Sequence, residues 1–359
     1  MAEINKEDVI AALRGVREPE LGKDLVSLGM IRDLEVSDSR VSFKVVLTTP
    51  ACPLKQQITS SAKEAVEKVP GVSEVYITLI SNVTSGRDTT REELIPGVKN
   101  VIAVSSGKGG VGKSTVSVYL ALALAMDGAK VGLLDCDIYG PNIPLMMGIK
   151  ERPEMIDDKI IPLVNYNISL MSMGFIIPDD QPVIWRGPML HKVIQQFLGG
   201  VEWGELDYMI VDLPPGTGDA QMSICQLVPL TGAVIVTTPQ EVALLDSRRG
   251  LAMFQKLGVP VLGIIENMSY FSCPHCQGRT EIFSHGGGRE ASLKLGVPFL
   301  GEIPIDTAIR KGGDSGVPVI IVDNNSPQAG IFHDIASNLA ARISVFNASM
   351  ADEQQMEKR

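Results

Sequence analysis

A glycine-rich loop with two lysines has the residue types and spacing that bind nucleotide phosphates. It matches the pattern GxxxxGK[ST] and lies between a short apolar stretch and a helix-periodic stretch, the context that this pattern requires. Glycines let backbone N–H groups turn toward phosphate oxygens, while Lys113 would add charge and the Ser114 hydroxyl would ligate Mg²⁺. The predicted nucleotide-binding residues of the loop are Gly107, Lys108, Gly109, Gly110, Val111, Gly112, Lys113, Ser114 and Thr115. The loop thus predicts ATP binding, with Lys113 as a catalytic residue.

Aspartates follow two apolar stretches of the chain. Asp135 and Asp137 lie at the end of the stretch that begins at 131, and Asp212 follows the stretch at 208–211. Phosphoryl transfer depends mainly on a positioned metal and a positioned nucleophile. Carboxylates at strand ends beside a phosphate loop could therefore hold the metal or orient the attacking water. Asp212 fits a magnesium partner best, Asp137 is better placed to orient water, and Asp135 could do either. The alternative is that these aspartates only cap helices.

Two cysteines, Cys273 and Cys276, form a CxxC after the apolar stretch at 261–266. Zinc sites and iron–sulfur clusters usually need four ligands, and the chain has no second CxxC. Three interpretations compete. Two subunits could share one site, a monomeric zinc site could be completed by His275, His285 or a remote cysteine, or the pair could be a redox dithiol. A two-fold dimer would favour the shared site.

The other three cysteines give weaker signals. Cys136 and Cys225 lie in apolar surroundings, which is typical of buried packing residues. Cys52 opens a predicted helix, and a helix N-terminus lowers the pKa of a thiol, so a thiolate is expected there. A functional and a structural role for Cys52 both stay open.

The elements that must position the phosphate loop, the aspartates and the CxxC alternate in type along the chain. Short apolar strands are predicted at 100–105, 131–135, 208–212, 233–237, 261–266 and 298–301. Helical periodicity follows several of these strands, which indicates an α/β fold: a parallel sheet with helices on both faces. Ligands bind at the carboxyl ends of the strands in such sheets, and each polar motif lies at such an end.

The first 85 residues form a separate pattern. Helices are predicted at 6–16 and 58–69, and strands at 41–47 and 75–80, in the rough order α-β-β-α-β. A polar, turn-rich linker follows and ends in Pro-Gly. The predicted domains are therefore a small α+β domain at 1–85, a linker at 86–97 and a P-loop ATPase domain at 98–359.

Length and charge limit the function classes. The chain has 359 residues, enough for two domains, and a net charge of −10, which argues against non-specific nucleic-acid binding. Its first residues lack the apolar segment of a signal peptide, and the longest apolar run, at 231–238, is too short to span a membrane. We therefore expect a cytoplasmic protein with reduced cysteines, without a nucleic-acid or membrane partner.

Lys108 is an additional lysine that an ordinary P-loop does not need. It is either a solvated loop residue or one that reaches phosphate across a dimer interface. The string at 108–115 resembles the deviant Walker A loop of the MinD, ParA and nitrogenase iron-protein class. That resemblance implies a face-to-face homodimer, a catalytic role for Lys108, and slow ATP hydrolysis that a partner stimulates.

A second resemblance covers nearly the whole chain. Residues 98–345 resemble the Mrp/ApbC family of P-loop iron–sulfur cluster carriers, and residues 1–85 resemble the PaaD/SufT-like domain that is often fused to them. The matching strings are those at 107–115, 135–142, 185–189, 212–219, 266–269 and 273–276, and Cys52 with its Thr-Pro-x-Cys-Pro surroundings.

This family resemblance implies a homodimer that binds one [4Fe–4S] cluster through Cys273 and Cys276 of each subunit. Its partners would be apo iron–sulfur proteins and cluster scaffold proteins, and Asn267 falls where related ATPases contact adenine. Two other functions stay open. One is a ParA/MinD-type positioning ATPase, although the apolar segment at 331–345 has few of the cations of a membrane-binding helix. The other is an ATPase with a structural zinc site.

Overall fold

The structure is a computed structural model that describes residues 4–86, 94–176 and 187–357, except 274 and 277. Contacts between Cα atoms divide the chain into two compact units, Met1–Thr84 with Ala340–Arg359, and Ser85–Leu339. The domain limits 1–85, 86–97 and 98–359 stay a prediction. Residues 87–93 of the proposed linker, and Trp185 and Arg186 of the string at 185–189, lie outside the described residues.

The first unit contains a small three-stranded sheet over its described residues. Its elements are α1 Lys6–Arg14, β1 Ile31–Ser37, β2 Arg40–Leu47, α2 Lys55–Glu67 and β3 Glu74–Ser81. The central strand β2 pairs antiparallel with β1 and parallel with β3. Alternate β2 residues such as Phe43 are buried in one core with apolar residues of both helices, such as Leu13 and Ile58. The predicted α-β-β-α-β order is therefore observed.

The second unit alternates strands with helices. In chain order its elements are β4 Val98–Ser106, α3 Lys113–Met126, β5 Val131–Asp135, α4 Ile143–Met146, β6 Met155–Ile156, β7 Lys159–Ile160, β8 Leu163–Asn165, β9 Ile168–Ser172, the 3₁₀ turn Met173–Phe175, α5 Gly187–Gly199, β10 Leu206–Asp212, α6 Asp219–Leu227, β11 Gly232–Thr237, α7 Glu241–Lys256, β12 Val261–Glu266, β13 Phe271–Ser272, β14 Arg279–Thr280, α8 Gly287–Leu295, β15 Phe299–Glu302, α9 Thr307–Ser315, α10 Val319–Val322 and α11 Pro327–Glu357. The end of α11, from Ala340, groups with the first unit.

An eight-stranded sheet forms the centre of the second unit, within the part of the chain that the structure describes. Its strand order is β15-β12-β11-β4-β10-β5-β9-β8, and every neighbouring pair is parallel except β8 and β9. The predicted fold class, a P-loop-type α/β sheet with a small N-terminal α+β domain, is confirmed. The prediction omitted β8 and β9, which form an antiparallel hairpin. Tyr166 and Asn167 turn it with positive φ angles of 48° and 61°, as a two-residue type I′ turn requires.

Helix α3 lies directly behind the phosphate loop and is buried nearly all round, including its apolar run from Val116 to Ala125. This burial explains why the helix is apolar on every face rather than amphipathic. Its N-cap is Gly112, which adopts a left-handed conformation. The loop is thus fixed between the central strand β4 and a fully packed helix. None of the described helices has the length and apolar character to cross a membrane.

Candidate functional site

The phosphate loop joins β4 to α3 and needs its glycines for close contacts. Gly110 and Gly112 both have φ of 81°, a conformation that residues with a Cβ rarely adopt. A Cβ on Gly112 would lie 2.2 Å from Nδ2 of Asn267, and one on Gly107 would lie 2.3 Å from the backbone of Asp246. The amide Nδ2 of Asn267 donates a hydrogen bond to the Val111 carbonyl over 2.8 Å. The structure therefore brings the predicted residue Asn267 against the loop.

Lys113 is buried between two of the predicted carboxylates. Its Nζ lies 2.7 Å from Oδ2 of Asp212 and 3.3 Å from Oδ2 of Asp137. Burial alone would lower the pKa of Lys113, but the attraction of Asp212 and Asp137 outweighs it and raises that pKa. Lys113 is therefore a fixed positive charge at the base of the loop.

Two hydroxyl groups orient the Asp212 carboxylate, which is fully buried at the end of β10. Ser114 Oγ donates to Oδ2 over 2.7 Å, and Ser117 Oγ donates to Oδ1 over 2.6 Å. The predicted magnesium residues Ser114 and Asp212 are therefore in direct contact. Ser117 was missed in the sequence, although it lies one helical turn after Ser114 and so faces the same side of α3.

Asp135 is fully buried at the end of β5, beside Asp212 on β10. Its carboxylate accepts hydrogen bonds from Ser172 Oγ at 2.7 Å and from the Asp137 N–H at 3.1 Å. Burial, reinforced by the charge of Asp212, raises the pKa of Asp135 to about 8. The geometry therefore favours Asp212 over Asp135 as a direct magnesium partner, and a metal role for Asp135 stays a prediction.

The raised pKa predicts how an Asp135→Asn substitution changes stability with pH. The folded protein keeps this proton up to about pH 8, whereas an ordinary carboxyl loses it near 3.8. Because the unfolded chain loses this proton in a pH range where the folded state keeps it, the free energy of unfolding falls as pH rises from about 4 to 8. We expect the variant to unfold at a higher temperature than wild type at pH 8, by about 2–4 °C for each kcal/mol that wild type loses, and the difference to vanish near pH 4. Thermal scans by circular dichroism without nucleotide measure this; a pH-independent difference would contradict the raised pKa.

An open cleft of about 400 Å³ runs along the loop. Its lining includes Gly109, Gly110, Gly112, Lys113, Ser114, Thr115, Asp137 and Tyr139. Asp137 accepts hydrogen bonds from the backbone N–H groups of Tyr139 and Gly140, at 3.1 and 3.3 Å, which fix its carboxylate at the cleft wall. A glycine cradle, a buried cation and a wall carboxylate suit a polyphosphate with a water beside it. Tyr139, exposed in this cleft, was not identified from the sequence.

Lys108 is half-buried at the outer edge of the loop. Its backbone carbonyl accepts a hydrogen bond from Ser106 Oγ at 3.0 Å, which shapes the loop. Within the described ranges, its ammonium group has no ion-pair partner, in contrast to that of Lys113. This placement suits both a solvated residue and one that reaches a second subunit, so its catalytic role stays a prediction.

The CxxC lies on a hairpin formed by β13 and β14. The Cys273 N–H donates to the Gly278 carbonyl over 3.0 Å and closes the loop. Cys276 is exposed and Cys273 is partly exposed. Hydrogen bonds from the N–H groups of Cys276 and His275, and then from the Cys276 thiol, lower the pKa of Cys273. The pair is therefore accessible and suited to bind a metal as thiolate.

The remaining cysteines are buried and inert by comparison. Burial raises the pKa of Cys136, raises that of Cys225 to about 12, and also raises that of Cys52. The expectation of a lowered pKa at Cys52 is therefore wrong. Cys52 lies in the core of the first unit, and α2 begins only at Lys55, so desolvation outweighs the helix N-terminus. Whether Cys52 has a function stays open.

Among the residues that the structure describes, no third metal-type side chain lies close enough to share an ion with the CxxC. Among the described residues, the one group of three metal-type side chains close enough to share an ion is Glu266, His285 and Glu302, and it contains neither cysteine. His285 instead lies 3.0 Å from Ser269 Oγ and 2.9 Å from Arg279 Nη2. The described part of the chain thus offers two thiols at the hairpin, as a site shared between subunits requires.

Comparisons with known proteins identify the family of this chain. The family described as NUBPL iron-transfer P-loop NTPase matches residues 97–340, and that described as iron–sulfur cluster assembly protein matches residues 6–77. An iron–sulfur cluster carrier protein of Synechocystis sp. is 50% identical, over 95% of this chain and 99% of the relative. A solved nucleotide-binding protein from Archaeoglobus fulgidus, in complex with ADP, is 40% identical with a TM-score of 0.57, over 65% of this chain and 91% of that one. The Pyrococcus furiosus cell division ATPase MinD, 24% identical with a TM-score of 0.51 over 67% of this chain and 98% of its own, shares the fold. The chain belongs to the NUBPL iron-transfer family of P-loop NTPases and carries an N-terminal iron–sulfur cluster assembly domain.

Proposed function

We propose that this protein is an ATP-hydrolysing carrier that binds a [4Fe–4S] cluster between two copies of the chain and transfers it to apo-proteins. The nucleotide would bind with Mg²⁺ in the cleft along the phosphate loop. Cluster scaffold proteins would supply the cargo and apo iron–sulfur proteins would receive it. The name of the Synechocystis relative, an iron–sulfur cluster carrier, supports this function.

The observation that carries the proposal is a difference in solvent exposure between the two hairpin cysteines and the other three. Cys273 and Cys276 are accessible on a short hairpin, whereas Cys52, Cys136 and Cys225 are buried. A cluster that must be released has to be held where a client can reach it, and accessible thiols exchange ligands faster than buried ones. An exposed pair in the same unit as a phosphate loop suits a cargo site.

Ligand number supports a shared cluster. A [4Fe–4S] cluster is held by four cysteine thiolates, and each chain offers two at the hairpin. A two-fold axis through a homodimer would bring two identical hairpins together and complete the set. Lys108, unpaired within the described part of its own chain, would then reach toward the partner's nucleotide.

The nucleotide half of the proposal rests on the residues around Lys113. Asp212 and Ser114 would hold Mg²⁺, Asp137 would orient the attacking water, and Asn267 would contact the adenine. The ADP complex of the Archaeoglobus neighbour supports a nucleotide in this fold. The proposal also keeps the expectation of a cytoplasmic protein, since free thiols persist in that reducing compartment.

A transfer assay tests this function. The protein is loaded anaerobically with iron and sulfide, desalted, and mixed with an apo-aconitase whose activity returns only with a [4Fe–4S] cluster. We expect aconitase activity to return, and to do so faster than with free iron and sulfide plus chelator. A loaded protein that keeps its cluster in the presence of the acceptor would contradict a carrier function, and stoichiometric zinc in a monomer would favour the structural-zinc alternative.

A further inference from the structure

A group of polar side chains at the carboxyl end of β12 joins several elements of the second unit; we call it the Glu266 cluster. Its members are Glu266, Ser269, Arg279, His285 and Glu302. They come from the end of β12, the turn after it, the hairpin strand β14, the segment before α8 and the end of β15. The cluster therefore connects the cysteine hairpin with the edge of the central sheet.

The carboxylate of Glu266 is fully buried and joins β12 to the start of α8. It accepts hydrogen bonds from Ser269 Oγ at 2.6 Å, from the Gly286 N–H at 3.1 Å and from the Gly288 N–H. A Cβ on Gly288 would lie 3.0 Å from the Glu266 side chain, so the glycine permits this close approach. Charge-assisted bonds from a helix N-terminus stabilise such a carboxylate. The position of the Glu266 carboxylate is therefore fixed by burial and by these three hydrogen bonds.

Ser269 and His285 link Glu266 to Arg279. Ser269 has one hydroxyl proton, and its nearest acceptor is the Glu266 carboxylate. His285 Nδ1 lies 3.0 Å from Ser269 Oγ, while Arg279 Nη2 lies 2.9 Å from Nδ1 and 3.0 Å from Nε2. His285 is thus within hydrogen-bonding distance of both Ser269 and Arg279, and it links these two side chains.

Arg279 connects this cluster to the cysteine hairpin. Its guanidinium lies 3.8 Å from the centre of the Tyr270 ring and within 3.5 Å of the Glu302 carboxylate. In the hairpin register Arg279 pairs with Ser272, the residue before Cys273. The position of the cysteine loop therefore depends on a side chain that is held by His285, Glu302 and Tyr270. The positive charge of Arg279 also argues against a metal ion between the carboxylates of Glu266 and Glu302.

The residue that follows Glu266 in the chain contacts the phosphate loop. Asn267 directly follows Glu266, and its side chain donates to the Val111 carbonyl over 2.8 Å. Met268 has a φ of 55°, and its N–H donates to Asn267 Oδ1 over 2.9 Å, so the turn has little freedom. A shift of the loop around a bound phosphate would move Asn267, and with it the attachment of Glu266 and Ser269.

We propose that Arg279 is a positioning residue for the cysteine pair, and that the Glu266 cluster couples this pair to the phosphate loop through Asn267. The importance of this coupling for cluster transfer rests on the proposed function. The coupling itself is a property of the single chain, so it can be measured in protein that holds no cluster. Nucleotide in the loop would order the turn at Asn267, the cluster and the hairpin, and would slow reactions of the thiols.

The test is the alkylation rate of Cys273 and Cys276 by iodoacetamide in cluster-free protein, followed by mass spectrometry with and without saturating Mg-ADP. In wild type we expect Mg-ADP to slow alkylation at least about fivefold. In Arg279→Gln we expect faster alkylation without nucleotide and less than about a twofold effect of Mg-ADP. Arg310→Gln removes an exposed arginine that, among the described residues, forms an ion pair with Asp314 on α9, and this variant should behave as wild type.

Two further variants guard the result against a folding defect. Glu302→Gln keeps the shape of the Arg279 partner but removes its charge, and should also reduce the nucleotide effect; Arg279→Lys should restore it in part. A nucleotide effect of wild-type size in Arg279→Gln, or no effect in wild type, would overturn the coupling. Failure of the proposed function would give a different result. A chain that assembles no cluster can still show the alkylation pattern expected for the coupling.

Discussion

The Lys113→Ala variant is expected to hydrolyse ATP at least about 100-fold more slowly than wild type, because preorganised charges of this kind are worth that much in a transition state. Lys113 is the buried cation of the loop, 2.7 Å from Asp212 and 3.3 Å from Asp137. Its removal takes charge from the phosphates and also leaves two carboxylates without their common partner. Phosphate release in a steady-state assay with saturating Mg-ATP measures the change.

Lys99→Ala is the matched control for Lys113→Ala. Lys99 is also paired with an aspartate, Asp207, at 2.8 Å, but it lies near the start of β4, whereas the phosphate loop follows the end of that strand. We expect this variant to keep wild-type turnover. Circular dichroism must show that Lys113→Ala is folded, since a buried carboxylate that loses its partner destabilises a protein. Unchanged turnover in folded Lys113→Ala would refute the assignment of the phosphate loop.

The second large effect is expected at the CxxC. After anaerobic reconstitution we expect about four irons per pair of wild-type chains, and almost none in Cys273→Ser or Cys276→Ser. Loss of either thiol removes two of four ligands in a two-fold site, one from each subunit. Iron and sulfide analysis, together with the absorbance of the reconstituted protein, measures the loss.

Cys225→Ser is the matched control, because it also removes one thiol from each chain. Cys225 is buried on α6, and burial raises its pKa to about 12, so it is not an available ligand. This variant should keep the iron content of wild type. Equal iron in wild type and in Cys273→Ser would show that the hairpin is not the cluster site.

Much of the fold and of the nucleotide site was predictable because the signals are local. The phosphate loop is one continuous string between a strand and a helix, and observed β4 and α3 have these positions. Asp135 and Asp212 end apolar strands, and neighbouring parallel strands place such ends side by side. Local patterns therefore suffice where a single segment, or the edge of a sheet, carries the site.

Contacts between distant segments were not predictable in the same way. Ser172 donates a hydrogen bond to Asp135 from β9, and β9 was missed because its five residues form a short stretch within a longer, largely apolar segment. The Glu266 cluster gathers side chains from five segments, and each of them alone resembles an ordinary polar surface residue. Cys52 shows the opposite failure, because a local helix-start signal was outweighed by burial in the core.

The central claim, a cluster shared by two chains, is tested most directly by native mass spectrometry of the anaerobically reconstituted protein. We expect a dimer whose mass exceeds that of two chains by one [4Fe–4S] unit, and its loss to monomer when the cluster is removed by a chelator. A monomer with one bound zinc, or a dimer whose mass equals two bare chains after reconstitution, would contradict the account.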